Sequence, residues 1–190
     1  MAQVVTAVYD ANILYPAPMR DLFIRLAHAG LVRGRWSDAI HDEWTRSVLQ
    51  DNPHVSAERL ARTRSLMNEA VRDCLVTGFE ELIPSLVLPD PKDRHVLAAA
   101  IRAGATIIVT CNLKDFPVQS LSRFGIESQH PDAFLLGLLD AAPEAVSAVV
   151  QQQQESLHNP PKSAAELLEI LERQGLPRAV ARLRQLLERI

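Results

Sequence analysis

Residues 89–116 read PDPKDRHVLAAAIRAGATIIVTCNLKDF, and they decide the fold class. Asp90–Pro91 opens a helix, because Asp caps a helix and Pro fits its first position. The helix carries HVLAAAIRA and stops at Gly104. ATIIVT follows as a short, β-branched, uninterrupted apolar run, which reads as a strand buried on both faces. Asn112 to Asp115 then turn the chain, and Phe116–Pro117 close the turn.

Working outward, the same alternation recurs on both sides. VVTAVY, residues 4–9, is a second buried strand bounded by Asp10. Pro16 and Pro18 open a helix through DLFIRLAHAG, stopped at Gly30, and LVRGRW is a link. Ser37 caps a helix running to about Gln50, with Asp38 in its positive first turn. Pro53 breaks the chain, and Ser56 to about Val76 reads as a third helix. SLVL, residues 85–88, reads as a short strand ended by Pro89. FGIES and a helix from Pro131 to about Leu139 close the alternating region. Strands alternating with helices predict an α/β fold with a mostly parallel central sheet flanked by helices.

From about Ala141 the character changes. Pro143 to Glu155 is a helix with a QQQQ run, Ser156 to Ser163 a linker, and two short helices flank Gly175–Leu176–Pro177. Residues 1–140 are therefore read as one domain and 141–190 as a helical C-terminal extension. The last stretch, RAVARLRQLLERI, is amphipathic and is expected to fold back on the domain.

Composition narrows the function. The 190 residues are 47% hydrophobic and 23% charged with net charge −3, an ordinary globular balance with no global basic field for nucleic acid. A nucleic-acid partner would meet a local patch or metal ions. Aromatics are 5%, too few for a base-stacking platform, and Trp36 and Trp44 read as packing anchors. Cys74 and Cys111 form no CxxC pattern, so neither a disulfide framework nor a zinc site is expected. No signal peptide and no run of the roughly 18 apolar residues that a membrane span needs is present, so a reduced cytoplasmic protein is expected. GxGxxG, GxxxxGK[ST], GxSxG and HExxH are all absent.

Four acids stand at informative places: Asp10 after the first strand, Glu43 inside a helix, Asp93 in a helix's first turn, and Asp115 after ATIIVT. In a parallel sheet, ligand-binding residues gather outside the carboxyl ends of the strands. Clustered carboxylates repel unless a cation neutralises them, and carboxylate oxygen suits Mg²⁺ or Mn²⁺. Two such ions about 4 Å apart can activate a water and stabilise the leaving oxygen in phosphodiester hydrolysis. Each acid also has a plain structural explanation. Asp10 is placed as a turn or cap residue, and Glu43 as solvated helix surface with Asp42 competing for its role. Asp90 and Asp93 are spaced as a cap and a first-turn acid, and Asn112 and Asp115 repeat that spacing.

Together these residues resemble the PIN-domain nucleases. That family shows a strand into D-A-N-[IV]-L, an acid on a following helix, a D-x-x-D-x-x-V-[LI]-A-x-A helix, then G-A-x-x-[IL]-V-T-x-[ND]-x-x-D-F. This chain has VYDANILY, SDAIHDEW and the 89–116 stretch in that order, and the similarity covers roughly residues 3–140. The resemblance implies a PIN-like three-layer sandwich, dependence on one or two Mg²⁺ or Mn²⁺ ions, and endonucleolytic RNA cleavage leaving 5′-phosphate and 3′-hydroxyl ends. It assigns Asp10, Glu43, Asp93 and Asp115 to metal and catalysis, with Asn12, Asp90, Thr110 and Asn112 in support. Many members carry Asp where this chain has Asn112, which removes one charge. Small bacterial members are mostly VapC-type toxins, which implies an antitoxin partner, inhibition of translation and a homodimer. A non-catalytic RNA- or protein-binding module, or an RNA-processing or DNA-directed nuclease, stands as the alternative. Arg33, Arg35 and Arg46, with Arg20 and Arg25 near them in sequence, are candidates to grip phosphates. His95, two residues after Asp93, is expected to point away from it along the helix.

Overall fold

The computed structural model describes residues 4–187. Glu188 and Arg189 of the terminal amphipathic stretch lie outside that range. Four strands, β1 (Thr6–Tyr9), β2 (Arg33–Arg35), β3 (Ile107–Val109) and β4 (Glu127–Gln129), form one parallel sheet in the order β2-β1-β3-β4. β1 is central, with Ala7 level with Gly34 on one side and with Ile107 on the other. Its residues Ala7, Val8 and Tyr9 are buried, as a strand covered on both faces demands. The chain leaves β1 toward β2 and then returns past it to β3 and β4. The order of connection thus reverses between β1 and β3, and in such sheets the carboxyl ends of the strands at the reversal are where ligands bind.

The helices are α1 (Ala11–Leu14), α2 (Ala17–His28), α3 (Asp38–Asp51), α4 (Ala57–Ala70), α5 (Arg94–Arg102), α6 (Val118–Leu121), α7 (Pro131–Ala141), α8 (Pro143–Glu155), α9 (Ala164–Arg173) and α10 (Pro177–Leu187). They flank the sheet: α2 packs on β2, and α5 packs on β1 and β3. Ser37, Ser56 and Ser163 each accept from the backbone N–H three residues on, and Ser163 with Glu166 completes a capping box. Trp36 and Trp44 are fully buried, as expected of packing anchors.

Three expectations need correction. LVRGRW is not merely a link but contains β2. The RGR tripeptide lacks β-branched residues, and its place is set by packing: a Cβ on Gly34 would stand 3.0 Å from both Ala27 and Tyr9. The third helix ends at Ala70, not near Val76. The chain turns through Asp73, which has φ 56°, and returns beside β2, where Val76 N–H donates to the Trp36 carbonyl at 2.8 Å. SLVL joins no strand. Glu80–Ser85 is a 3₁₀ helix, after which Leu86 and Leu88 are buried and Val87 is exposed. The side chains alternate as in a strand, but flanking Pro84 and Pro89 withhold backbone donors.

The C-terminal helices share the domain's core. α10 packs chiefly on α7, and α8 packs on α2 and α7, so the terminal helix does fold back. Asp132, buried in the first turn of α7, accepts from the N–H groups of Arg178 (3.3 Å) and Ala179 (2.9 Å) and so caps α10.

Candidate active site

At the switch point, the carboxyl ends of β1 and β3 lie side by side. Asp10 N–H makes the last ladder bond of β1, to the Val109 carbonyl at 3.1 Å. The Asp10 side chain then caps α1, with Oδ1 accepting from Ala11 N–H at 2.7 Å. Its Oδ2 accepts from the Thr110 hydroxyl and from Asn12 Nδ2, each at 2.7 Å. Asn12 Nδ2 also donates to Thr110 Oγ1 (3.0 Å), while its Oδ1 accepts from Cys111 N–H (3.0 Å). Thr110 Oγ1 accepts in addition from Asn112 N–H at 3.0 Å. Asn12 and Thr110 thereby lock the two strand ends together and fix the rotamer of a buried carboxylate.

The other acids arrive from three elements. Asp93 sits where a 3₁₀ turn, Pro91–Asp93, passes into α5, and its side chain makes no capping bond. The cap there is Asp90, which accepts from Lys92 N–H at 2.9 Å. Asp115 lies in a 3₁₀ turn after β3, and its Oδ2 accepts from Asn112 Nδ2. Glu43 projects from α3, and its Oε2 accepts from His95 Nε2 at 3.2 Å. Asp42 is turned instead toward α4, where Arg64 pairs with both Asp42 (2.6 Å) and Asp38 (3.0 Å).

Electrostatics shows that these groups feel one another. Burial pushes the Asp93 carboxyl up to about 6, and the charges of Asp10, Asp90, Asp115 and Glu43 push in the same direction. Burial also raises Asp10, with Glu43 adding to the rise, while the Thr110 hydroxyl, the Ala11 N–H and His95 pull it back. A carboxylate cluster that raises its own members' pKa values marks a functional-site candidate. The donor chemistry fits a hard divalent cation: oxygen ligands only, with excess negative charge. Among the described residues, no group of three or more His, Cys, Asp and Glu stands close enough to hold a metal as placed. Asp10, Asp115 and Glu43 each spend an oxygen on a neighbouring donor.

His95 makes a contact that the sequence reading did not anticipate. Its ring reaches across to Glu43 and lies near enough to Asp10 to lower it. Residue spacing along α5 could not reveal this, because the partner is on α3.

The arginines divide differently from expectation. Arg20 donates to the Leu14 and Tyr15 carbonyls and lies 4.5 Å over the Trp44 ring, and Arg25 pairs with Asp21. Arg35 donates to the carbonyls of Arg72 and Asp73. These three have structural tasks. Arg33 is exposed early in β2, level with Thr6, and Arg46 is exposed on α3, one turn beyond Glu43. A cavity of about 590 Å³ between α2, α4 and α9, lined by Ile24, Leu66, Met67, Leu167 and Ile170, contains none of the carboxylates.

The profile of the family described as "PIN domain" matches residues 6–114. A second profile, described as "VapC50 C-terminal domain", matches residues 131–185. The chain is 45% identical over 109 residues to the curated protein "Putative ribonuclease VapC50" of Mycobacterium tuberculosis (strain ATCC 25618 / H37Rv). That match covers 57% of this chain and 63% of the relative, so the chain spans less than two thirds of the relative's length. No solved structure gives a significant match.

Proposed function

From the premise that this chain belongs to the PIN-domain family, we propose that it is a divalent-metal-dependent endoribonuclease and the toxin of a toxin–antitoxin pair that inhibits translation. The observation that carries the reading is that Asp10, Glu43 and Asp115, from three separate elements, all act electrostatically on Asp93 near the carboxyl ends of β1 and β3. The match to a ribonuclease relative supports it. Asp10, Glu43, Asp93 and Asp115 would hold one or two Mg²⁺ or Mn²⁺ ions. Bound there, the metal would neutralise the carboxylates, draw in the RNA phosphate and activate water for in-line attack.

The chain's own residues prepare that step. Thr110 and Asn12 saturate one oxygen of Asp10 and hold its carboxylate at the end of β1. Asp93 makes no capping hydrogen bond, and at pH 7, above its pKa of about 6, it is mostly charged. Arg46, exposed one turn beyond Glu43, is available to meet a phosphate, whereas Arg33 is level with Thr6, at the end of β1 opposite Asp10. An antitoxin partner, a homodimer and a cytoplasmic location belong to the same reading, with residues 141–187 as an extension packed into the one core rather than a domain apart. No described helix is long and apolar enough to cross a membrane. The second reading is a non-catalytic binding module. It is favoured by one feature: Asn112 stands where many relatives carry an acid, and it occupies an oxygen of Asp115.

The test is induced expression of wild type beside Asp93→Asn in a bacterial host, with RNA ends mapped from the same cultures. The expected result is growth arrest and new 5′-phosphate ends with the wild type only. Purified wild type should also lose cleavage in EDTA. Wild-type cleavage by Asp93→Asn would remove the site assignment. Absence of new ends with either protein would favour the binding module.

A further inference from the structure

His95 lies at the start of α5, two residues beyond Asp93, with its side chain 17% exposed against 44% for Glu43. Its Nε2 stands 3.2 Å from Glu43 Oε2, and this is the sole side-chain hydrogen bond that Glu43 makes among the described residues. Glu43 has three rotatable bonds and faces the charge of Asp10. Left alone, a half-exposed glutamate beside another carboxylate swings toward water. His95 opposes that swing from a rigid base, because the next residues of α5, Val96 and Leu97, are fully buried.

The other ring nitrogen carries the second clue. His95 Nδ1 is buried with no hydrogen-bond partner. A buried polar atom left unpaired costs free energy and calls for an explanation. A leucine or phenylalanine at this position would fill the space without that cost, so packing does not account for an imidazole here. The bond made by Nε2 does.

We infer that His95 is a positioning residue for Glu43, tethering the α3 carboxylate on the side of Asp10 so that a divalent cation arriving among Asp10, Glu43 and Asp93 can draw it in. The inference rests on the acid-cluster reading of the site. His95 acts through Glu43 and touches neither metal nor RNA.

Two substitutions of similar size separate the roles. The amide of Gln reaches close to the position of Nε2, whereas that of Asn reaches only to that of Nδ1. Mn²⁺ affinity is measured by titration calorimetry on the full chain, alongside the melting temperature of the metal-free protein. His95→Asn should weaken Mn²⁺ binding about tenfold or more, the size expected for loss of an orienting partner, while His95→Gln stays within about threefold of wild type. The two variants should melt together without metal. Equal Mn²⁺ affinity in His95→Asn and wild type, or equal weakening by Asn and Gln, overturns the inference. Glu43→Gln distinguishes the two levels of failure. If Glu43→Gln binds Mn²⁺ like wild type, the acid-cluster reading itself falls. If it binds weakly while His95→Asn does not, only the positioning role falls.

Discussion

Asp10 and Asp93 show how one cluster treats two carboxylates in opposite ways. Asp10 is buried but accepts from Ala11, Asn12 and Thr110, so its charge is partly compensated. Asp93 has no capping bond and faces four negative neighbours, which with burial push it up to about 6. Its unfolded value is about 3.9, so the native protein binds a proton more tightly than the unfolded chain does. This stabilising contribution is full below about pH 4 and is lost as pH rises through about 6. Asp93→Asn should therefore raise the melting temperature of the metal-free protein at pH 7.5, and the difference should vanish near pH 4. Thermal scans in EDTA at both pH values check this, and an equal difference at the two would contradict it. At this scale the four acids were readable in the sequence: Asp10 ends a strand, Glu43 and Asp93 sit in helices whose starts are punctuated by Ser37 and by Asp90–Pro91, and Asp115 follows the apolar strand through the turn at Asn112. The bond between His95 and Glu43 was not readable, because 52 residues separate the partners.

At the scale of elements, an amide on α4 adds to the Arg64 ion pairs that join α4 to α3. Asn68 Oδ1 accepts from Trp36 Nε1 at 2.8 Å and from His41 Nε2 at 3.0 Å, and His41 Nδ1 accepts from Trp44 Nε1 at 3.0 Å. His41 is therefore neutral and carries its proton on Nε2. Burial lowers its pKa, with Arg64 acting the same way against the opposing pull of Asn68, Asp38 and Asp42. The unfolded chain takes up this proton near pH 6.5 while the folded one resists, so His41 favours folding above about 6.5 and withdraws that support as pH falls. Asn68→Ala would orphan two donors on fully buried rings and should cost about 2–4 kcal/mol of stability in chemical denaturation. A loss under about 0.5 kcal/mol would show that the network is not structural. The helix starts here were legible from Ser37 and Ser56 alone, because N-capping is local. The early end of α4 was not, because a long-range backbone pairing of Trp36 with residues 74–76 imposes it.

Across the whole molecule, the C-terminal helices complete the domain. α2 begins at Pro16, which offers no side-chain cap, and Gln174 supplies one by accepting from Met19 N–H at 3.1 Å. Gln153 Nε2 donates to the Pro18 carbonyl at 2.8 Å. Leu167, Leu168, Leu171, Val180 and Leu183 are buried in the same contiguous core as Tyr9 and Phe23. Both tryptophans lie in the first 44 residues, so fluorescence reports on that part alone. Leu171→Ala should cost about 2–5 kcal/mol, with tryptophan fluorescence and far-ultraviolet dichroism moving through one shared transition. Separate transitions would mean that residues 141–190 unfold on their own.

What the sequence determined by itself was local: apolar runs of strand length, helix caps, the Asp-Pro start before α5, and acids placed at strand ends. These depend on periodicity and on hydrogen bonds between near neighbours. Tertiary structure alone decided which elements meet. The reversal between β1 and β3 sets Asp10 beside Thr110, the close approach at Gly34 makes an unpromising RGR a strand, and His95 reaches Glu43 on a helix far away in sequence. Such contacts are chosen by how buried faces pack, and no short window of sequence carries that information.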